Sequence, residues 1–252
     1  MGAHISYMGT KRGLAPMVVE VLSQAKPGIV FDVFAGMCSV AEAVAPWRNV
    51  WTNDVQHFAY LVGHCLFKAK ADPLSCTDAA DEYHLAFLSH RDDLIRCFAD
   101  TLKIERSFNP EMSFSEFSTI YADYKETLKR EINNIDTLSI EKFFFFTKFY
   151  SDSYFGLQQA IDIDALSCSV RGQNRNSSRT AECLRWAIVA MGRAAIRIAN
   201  STGHFAQFLK PKENNFKVFI RQRRRLFWEE WLAAIDELRP VGTIDWRLEN
   251  RC

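Results

Sequence analysis

The chain has 252 residues, 48% of them hydrophobic and 20 of them phenylalanine, which is enough apolar side chain for a substantial core and excludes a disordered protein. A formal net charge of +1 excludes a protein that is polyanionic or polycationic throughout. The seven cysteines (Cys38, Cys65, Cys76, Cys97, Cys168, Cys183, Cys252) are odd in number and form no Cys-x-x-Cys pair. That pattern argues against a disulfide framework or a zinc site and for reduced thiols in a cytoplasm.

No apolar run approaches the roughly 20 residues that span a bilayer, and the opening Met1-Gly2-Ala3-His4 has no basic-then-apolar leader pattern. A cytoplasmic location is therefore expected. The near-neutral average conceals a split. Residues 72–166 carry 18 acids against 9 bases, whereas residues 171–225 carry 13 bases against Glu182 and Glu213 alone. One basic segment in a near-neutral chain suits local contact with a polyanion. Charge alone equally allows a solvated basic face balanced by the acidic segment.

In chain order, Tyr7 to Lys11 is a glycine-containing loop, and Leu14 to Leu22 then shows helical periodicity with Pro16 in a first turn. Lys26-Pro27-Gly28 ends that helix. The run Ile29 to Phe34 carries one acid, breaks at Gly36 and is followed by helical sequence from Val40 to Val44, which reads as a buried strand, a tight turn and a helix start. Val50-Trp51-Thr52-Asn53-Asp54 reads as a second strand ending in an acid placed to accept ribose hydroxyls. An apolar helix through Lys70 comes next, with His57 and His64 at its surface or core edge.

From Asp72-Pro73 to about residue 210 the pattern is mostly helical. Ser113-x-x-Glu116 is a capping box, Met112 and Phe117 form a hydrophobic staple, and Phe114, Phe117, Tyr121, Tyr124 and Leu128 read as the buried face of the helix they start. Phe143 to Phe146 reads as core. Tyr154 and Phe155 suit either base stacking or packing, and Gln158 and Gln159 are amides suited to hydrogen-bonding base edges. The polar loop from Arg171 to Arg179 contains no acid and suits a phosphate backbone. Arg185, Val189, Arg193 and Arg197 recur at steps of four, a ridge that either lines a DNA cleft or faces water. Arg221 to Arg225 reads as the start of a helix ending near Leu238, and Thr243 to Trp246 as a strand or its lead-in.

The segments Tyr7-Met8-Gly9-Thr10-Lys11, Asp32-Val33-Phe34-Ala35-Gly36 and Asn53-Asp54, in that order and spacing, resemble the Dam-type adenine-N6 DNA methyltransferases. Tyr154-Phe155-Gly156 with Ala160 and Asp164, and Gly203-His204-Phe205-Ala206-Gln207, extend the resemblance over most of the chain. It implies an S-adenosylmethionine-dependent, Rossmann-like α/β sheet with a large helical target-recognition insertion. The implied domains are residues 1–71 (cofactor-binding core), 72–215 (recognition insertion) and 216–252 (return to the core).

The implied cofactor residues are Tyr7, Gly9, Lys11, Asp32, Phe34, Gly36 and Asp54. The implied DNA-side residues are Tyr154, Arg171, Arg175, Arg179, His204 and Lys210. The resemblance implies double-stranded DNA as substrate, methylation of a flipped adenine as reaction, and restriction–modification or its phage counterpart as setting. Met37 and Cys38 depart from the family, which carries small residues after the glycine.

The family's Asp/Asn-Pro-Pro-Tyr/Phe turn, which accepts the adenine amine hydrogens and stacks on the base, has no counterpart in this sequence, so no catalytic residue is recognisable. The sheet is therefore expected to be incomplete, with the strand at Ile29 to Phe34 lacking its other neighbour. A second polypeptide carrying that turn is the expected partner. The alternative is a catalytically incomplete fragment that binds DNA or cofactor. An NAD-type enzyme is disfavoured, since no Gly-x-Gly-x-x-Gly is present.

Overall fold

The computed structural model describes residues 11–135, 143–172, 178–202, 205 and 207–252, and two compact units are distinguished. The first unit takes residues 1–76, 174–196 and 232–252, and the second takes 77–173 and 197–231. These units are discontinuous in sequence, residues 174–196 grouping with the first.

In the first unit, α1 (Ala15–Ser23) leads to β1 (Val30–Asp32), α2 (Ser39–Val44), β2 (Val50–Thr52) and α3 (His57–Phe67). Pro16 stands in the first turn of α1, where its missing N–H leaves no bond unmade. Arg48 holds the other end of that helix, donating to the carbonyls of Leu22, Ala25 and Lys26 at 2.7, 2.9 and 3.0 Å. β1 and β2 pair in parallel with Val30 opposite Val50 and Asp32 opposite Thr52. On the far edge of β2, the Arg251 carbonyl accepts from Thr52 N at 2.9 Å, forming a parallel bridge.

Behind the sheet, α3 approaches β2 at Gly63, where an added Cβ would lie 2.6 Å from Thr52 Oγ1. The helix α9 (Ser178–Ile198) closes on α3 at Gly192, where a Cβ would lie 2.3 Å from the Phe58 ring. Asn250 is wholly buried and ties the layers together. Its Oδ1 accepts from Val50 N at 2.9 Å and its Nδ2 donates to Phe67 O at 2.9 Å.

The second unit is helical among the described residues: α4 (Cys76–Cys97), α5 (Ala99–Ser107), α6 (Phe114–Asn134), α7 (Phe145–Tyr150), α8 (Leu157–Gly172) and α10 (Phe216–Arg223). The Ser113–Glu116 capping box forms as expected, and Phe117, Tyr124 and Leu128 are buried in a core with Leu102, Phe108 and Phe219. Full burial of each such side chain stabilises by about 1.5–3 kcal/mol. The start of α8 is capped by Glu105, whose carboxylate accepts from Leu157 N at 2.8 Å and Gln158 N at 2.9 Å.

Several expectations need correction. Thr243 to Trp246 is not strand: Thr243 accepts from Trp246 N and caps α12 (Ile244–Leu248), so the strand-like position arrives only at Arg251. Arg221 to Arg225 does not begin a helix. It ends α10, and α11 (Phe227–Glu237) follows. Phe143 to Phe146 is core only in part: Phe144 packs against the buried cluster and stacks on Phe98, Phe143 and Phe146 are half-buried, and Phe145 is exposed. Of the two expected positions for His64, surface or core edge, the structure gives the core edge, with Nε2 3.1 Å from Glu182 Oε1.

The arginines of the expected ridge on α9 are partnered, with Arg193 buried and Arg185 and Arg197 partly exposed. Arg185 pairs with Glu182 at 3.1 Å, buried Arg193 with Glu237, and Arg197 with Glu230 at 4.0 Å. Among the described residues no helix is long and apolar enough to cross a membrane, and no group of three or more His, Cys, Asp or Glu could hold a metal ion.

Candidate functional site

The carboxyl ends of β1 and β2 form one connected loop system. Asn53 N donates to Asp32 O at 2.9 Å and Ala35 N to Asn53 O at 3.0 Å, so the parallel pairing continues past both strands. The Asn53 side chain donates to Val33 O at 3.1 Å and braces the exit of β1. Gly36 N then donates to Asp54 Oδ2 at 2.8 Å, while Asp54 Oδ1 accepts from Gln56 N at 2.9 Å. These two backbone donors hold the Asp54 carboxyl below its usual range, with Gln56 the larger influence. One aspartate therefore closes the β1 loop and forms an Asx turn onto Gln56, the residue before α3.

Gly36 sits at φ +50° with nothing within 4 Å of the position a Cβ would take. Its backbone is open to close approach. Cys38 also lies in the left-handed region, at φ 61°, and is completely buried. The departure from small residues noted in the sequence thus falls where the backbone favours glycine. Burial pushes the Cys38 thiol well above its ordinary range, so it is no nucleophile.

Asp32 is half-buried, and its Oδ2 has no hydrogen-bond partner among the described residues. Burial raises its pKa, the Ala41 backbone opposes that shift, and the charge of Asp54 adds to it. A buried carboxylate oxygen without a donor is costly unless a ligand supplies one.

Four of the expected cofactor residues, Asp32, Phe34, Gly36 and Asp54, are thus brought to one loop system. Phe34 is 85% exposed there. Lys11 is exposed at the turn opening α1, its carbonyl accepting from Leu14 N and Ala15 N. Tyr7, Gly9, Arg175 and His204 lie outside the described residues, as does the side chain of Arg179.

The expected DNA-side residues divide. Tyr154 Oη donates to Phe205 O at 3.1 Å and its ring lies 5.7 Å from Phe208, close to the exposed Lys210 in sequence. Asn200 organises this corner, its N–H donating to Tyr154 O at 2.7 Å and its carbonyl accepting from Leu209 N at 2.9 Å. Arg171 lies at the far end of α8, its guanidinium 5.6 Å from the Phe143 ring, and one rise per residue puts about 24 Å of helix between the two places.

Gln159 is not a base reader. It is buried, with Oε1 accepting from Gly156 N and Nε2 donating to Gln222 O and Arg225 O. Phe155 is likewise buried. Sequence reasoning missed the bracing role of the Asn53 side chain and the capping role of Glu105. Asn53 was visible as part of Asn53-Asp54, but Glu105 carries no local signal, its helix partner lying some fifty residues on.

Residues 7–227 match the family profile of D12 class N6 adenine-specific DNA methyltransferases. No match is found among curated proteins or among solved structures. The matched stretch takes in both strands, the loop that Asp54 closes and most of the helical unit, and the chain belongs to the D12 class of N6 adenine-specific DNA methyltransferases.

Proposed function

We propose that the chain supplies the S-adenosylmethionine site and the target-binding unit for methylation of a flipped adenine in double-stranded DNA, in restriction–modification. The observation that carries this is the Gly36–Asp54 closure beside the unpaired Asp32 oxygen. Ligands of α/β sheets bind outside the carboxyl ends of parallel strands, which is where these residues lie. Bound there, S-adenosylmethionine would supply a methyl group activated for in-line displacement.

The chain's own residues then have separable tasks. The Asp32 carboxylate attracts a cationic ligand and gains the donor it lacks. Gly36 leaves the loop backbone open to contact, and Asp54 keeps that loop in place. Phe34 offers an aromatic face at the loop's surface. Lys11, with Tyr7 and Gly9, belongs to the same proposed site, the lysine suiting a carboxylate. In the second unit, Tyr154 and Lys210 with Arg171, Arg175, Arg179 and His204 are the proposed DNA contacts. The proposed domain scheme is 1–71 for cofactor, 72–215 for target and 216–252 for return to the core.

The outer edge of β1 carries no strand among the described residues, and Ile29, Phe31 and Val33, which alternate onto one face, are 51, 59 and 48% exposed. An edge of this kind suits a further parallel strand. A second polypeptide bearing the Asp/Asn-Pro-Pro-Tyr/Phe turn is the proposed occupant.

Titration calorimetry with S-adenosylmethionine tests the proposal. Wild type should bind, and Gly36→Val, which places a β-branched side chain at positive φ in the open space, should bind at least tenfold more weakly while keeping its circular dichroism. Equal binding by Gly36→Val and Asp32→Asn would remove the loop from the cofactor site.

A further inference from the structure

The second unit holds a groove of about 750 Å³ between α6, α7 and residues 208–211. Its apolar lining is largely aromatic, with Phe114, Phe117, Tyr121 and Phe149 among its residues, and Phe149 is 59% exposed. Four lysines also line it: Lys125 and Lys129 from α6, Lys148 from α7, and Lys210. Lys125 and Lys129 stand one helical turn apart and so project from the same side of α6. Lys125 Nζ lies 5.3 Å from the Tyr121 ring centroid and Lys148 Nζ 5.4 Å from that of Phe149.

These ring contacts position the ammonium groups without neutralising them. The one acid in the lining, Asp152, accepts the Tyr121 hydroxyl at 2.7 Å. None of the four lysines forms an ion pair among the described residues, and three of them, Lys125, Lys129 and Lys148, stand in a stretch, 72–166, with twice as many acids as bases. Elsewhere in this acid-rich stretch, Arg91, Arg96 and Arg130 each pair with an aspartate. Four lysines without an ion pair among the described residues thus converge on one groove beside the exposed Phe149 ring, with Asp152 the one acid in the lining.

We propose that this groove is a sequence-independent DNA site. The ammonium groups of Lys125, Lys129, Lys148 and Lys210 contact backbone phosphates, and the face of Phe149 packs against a sugar or an unstacked base. Ammonium groups tracking a backbone beside aromatic faces are the chemistry by which a nucleic-acid strand is held without reading its sequence. The proposal deepens the DNA methyltransferase reading and rests on it for the identity of the polyanion. It adds residues from α6 and α7 that no motif marks.

Fluorescence anisotropy of the full chain with two labelled duplexes of unrelated sequence, between about 50 and 200 mM salt, tests it. Lys125→Gln/Lys129→Gln should weaken binding to both duplexes by the same factor, roughly tenfold. It should also lower the slope of log affinity against log salt by about 0.9 for each phosphate that is no longer neutralised. Phe149→Ala should weaken binding without changing that slope, and Lys103→Gln on α5 should match wild type. Circular dichroism verifies the fold of each variant.

Unchanged affinity and slope in the double variant, a weakening confined to one duplex, or a wild type that binds neither duplex would overturn the proposal. Lysine-dependent DNA binding by a chain that takes no S-adenosylmethionine would leave the groove standing and sink the methyltransferase reading alone.

Discussion

The backbone N–H of Gly36 donates to the Asp54 carboxylate at 2.8 Å, so the loop leaving one parallel strand is held by the acid that ends the next. Because the same carboxylate accepts Gln56 N at 2.9 Å, Asp54→Ala frees two backbone donors at once. The expected loss is about 1–2 kcal/mol of stability in urea denaturation, with S-adenosylmethionine affinity reduced at least tenfold. The folded pKa of Asp54 is depressed. Its contribution is therefore present above the ordinary carboxylate range and is lost as pH falls through the lower folded value. A variant with unchanged acid sensitivity would show that these bonds do not hold the loop.

Asp164 behaves in the opposite sense. Burial raises its pKa from 3.8 to about 6, despite hydrogen bonds from Thr147 N at 2.7 Å and Phe146 N at 3.0 Å. Between these values the folded state binds more protons than the unfolded one, so stability should fall as pH rises from about 4 to 6 and level off above. A shift of this size corresponds to about 3 kcal/mol at most. Asp164→Asn should flatten that part of the profile in thermal unfolding; an unchanged profile would assign the slope to other groups.

Gly156, the glycine of the Tyr-Phe-Gly block, is a packing requirement. A Cβ there would lie 2.6 Å from Glu105 Oε1 and 3.3 Å from the Arg223 side chain. Arg223 is itself buried against Glu105 and the Phe219 ring, leaving little room to yield. Gly156→Ala should destabilise by about 1–3 kcal/mol, read as a lower urea midpoint; an unaltered midpoint would mean that Glu105 moves aside freely.

Asn250→Ala should be more damaging than a surface change. It leaves Val50 N–H and Phe67 C=O buried without their partner, which costs about 2–4 kcal/mol. Asn250→Asp, which keeps the acceptor for Val50 N but loses the donor to Phe67, should also destabilise. Wild-type midpoints for both would exclude Asn250 as the tie between β2 and α3.

What the chain disclosed in advance were features whose partners are near in sequence. The Ser113–Glu116 box spans one helical turn, and the break at Gly36 with an acid at Asp54 lies within a single strand–helix–strand unit. What it concealed were features completed from a distance. The spacing of Arg185, Arg193 and Arg197 was plain, but Glu237 and Glu230, which turn two of them into internal ion pairs, lie more than thirty residues on. Thr243 to Trp246 has strand-like composition, and only the Thr243 hydroxyl reaching Trp246 N makes it a helix start. Of the groove's lysines Lys210 alone was singled out; Lys125, Lys129 and Lys148 were invisible because α6, α7 and residues 208–211 meet only in the fold.

The most direct test of the central claim is transfer of labelled methyl from S-adenosylmethionine to unmethylated duplex DNA, with the product digested to nucleosides. The chain is assayed alone and with a second polypeptide supplying the Asp/Asn-Pro-Pro-Tyr/Phe turn. Label recovered as N6-methyladenine in at least one of the two, and abolished by Gly36→Val, is the predicted result. Label in a methylated cytosine, or N6-methyladenine formed equally by Gly36→Val, would contradict it.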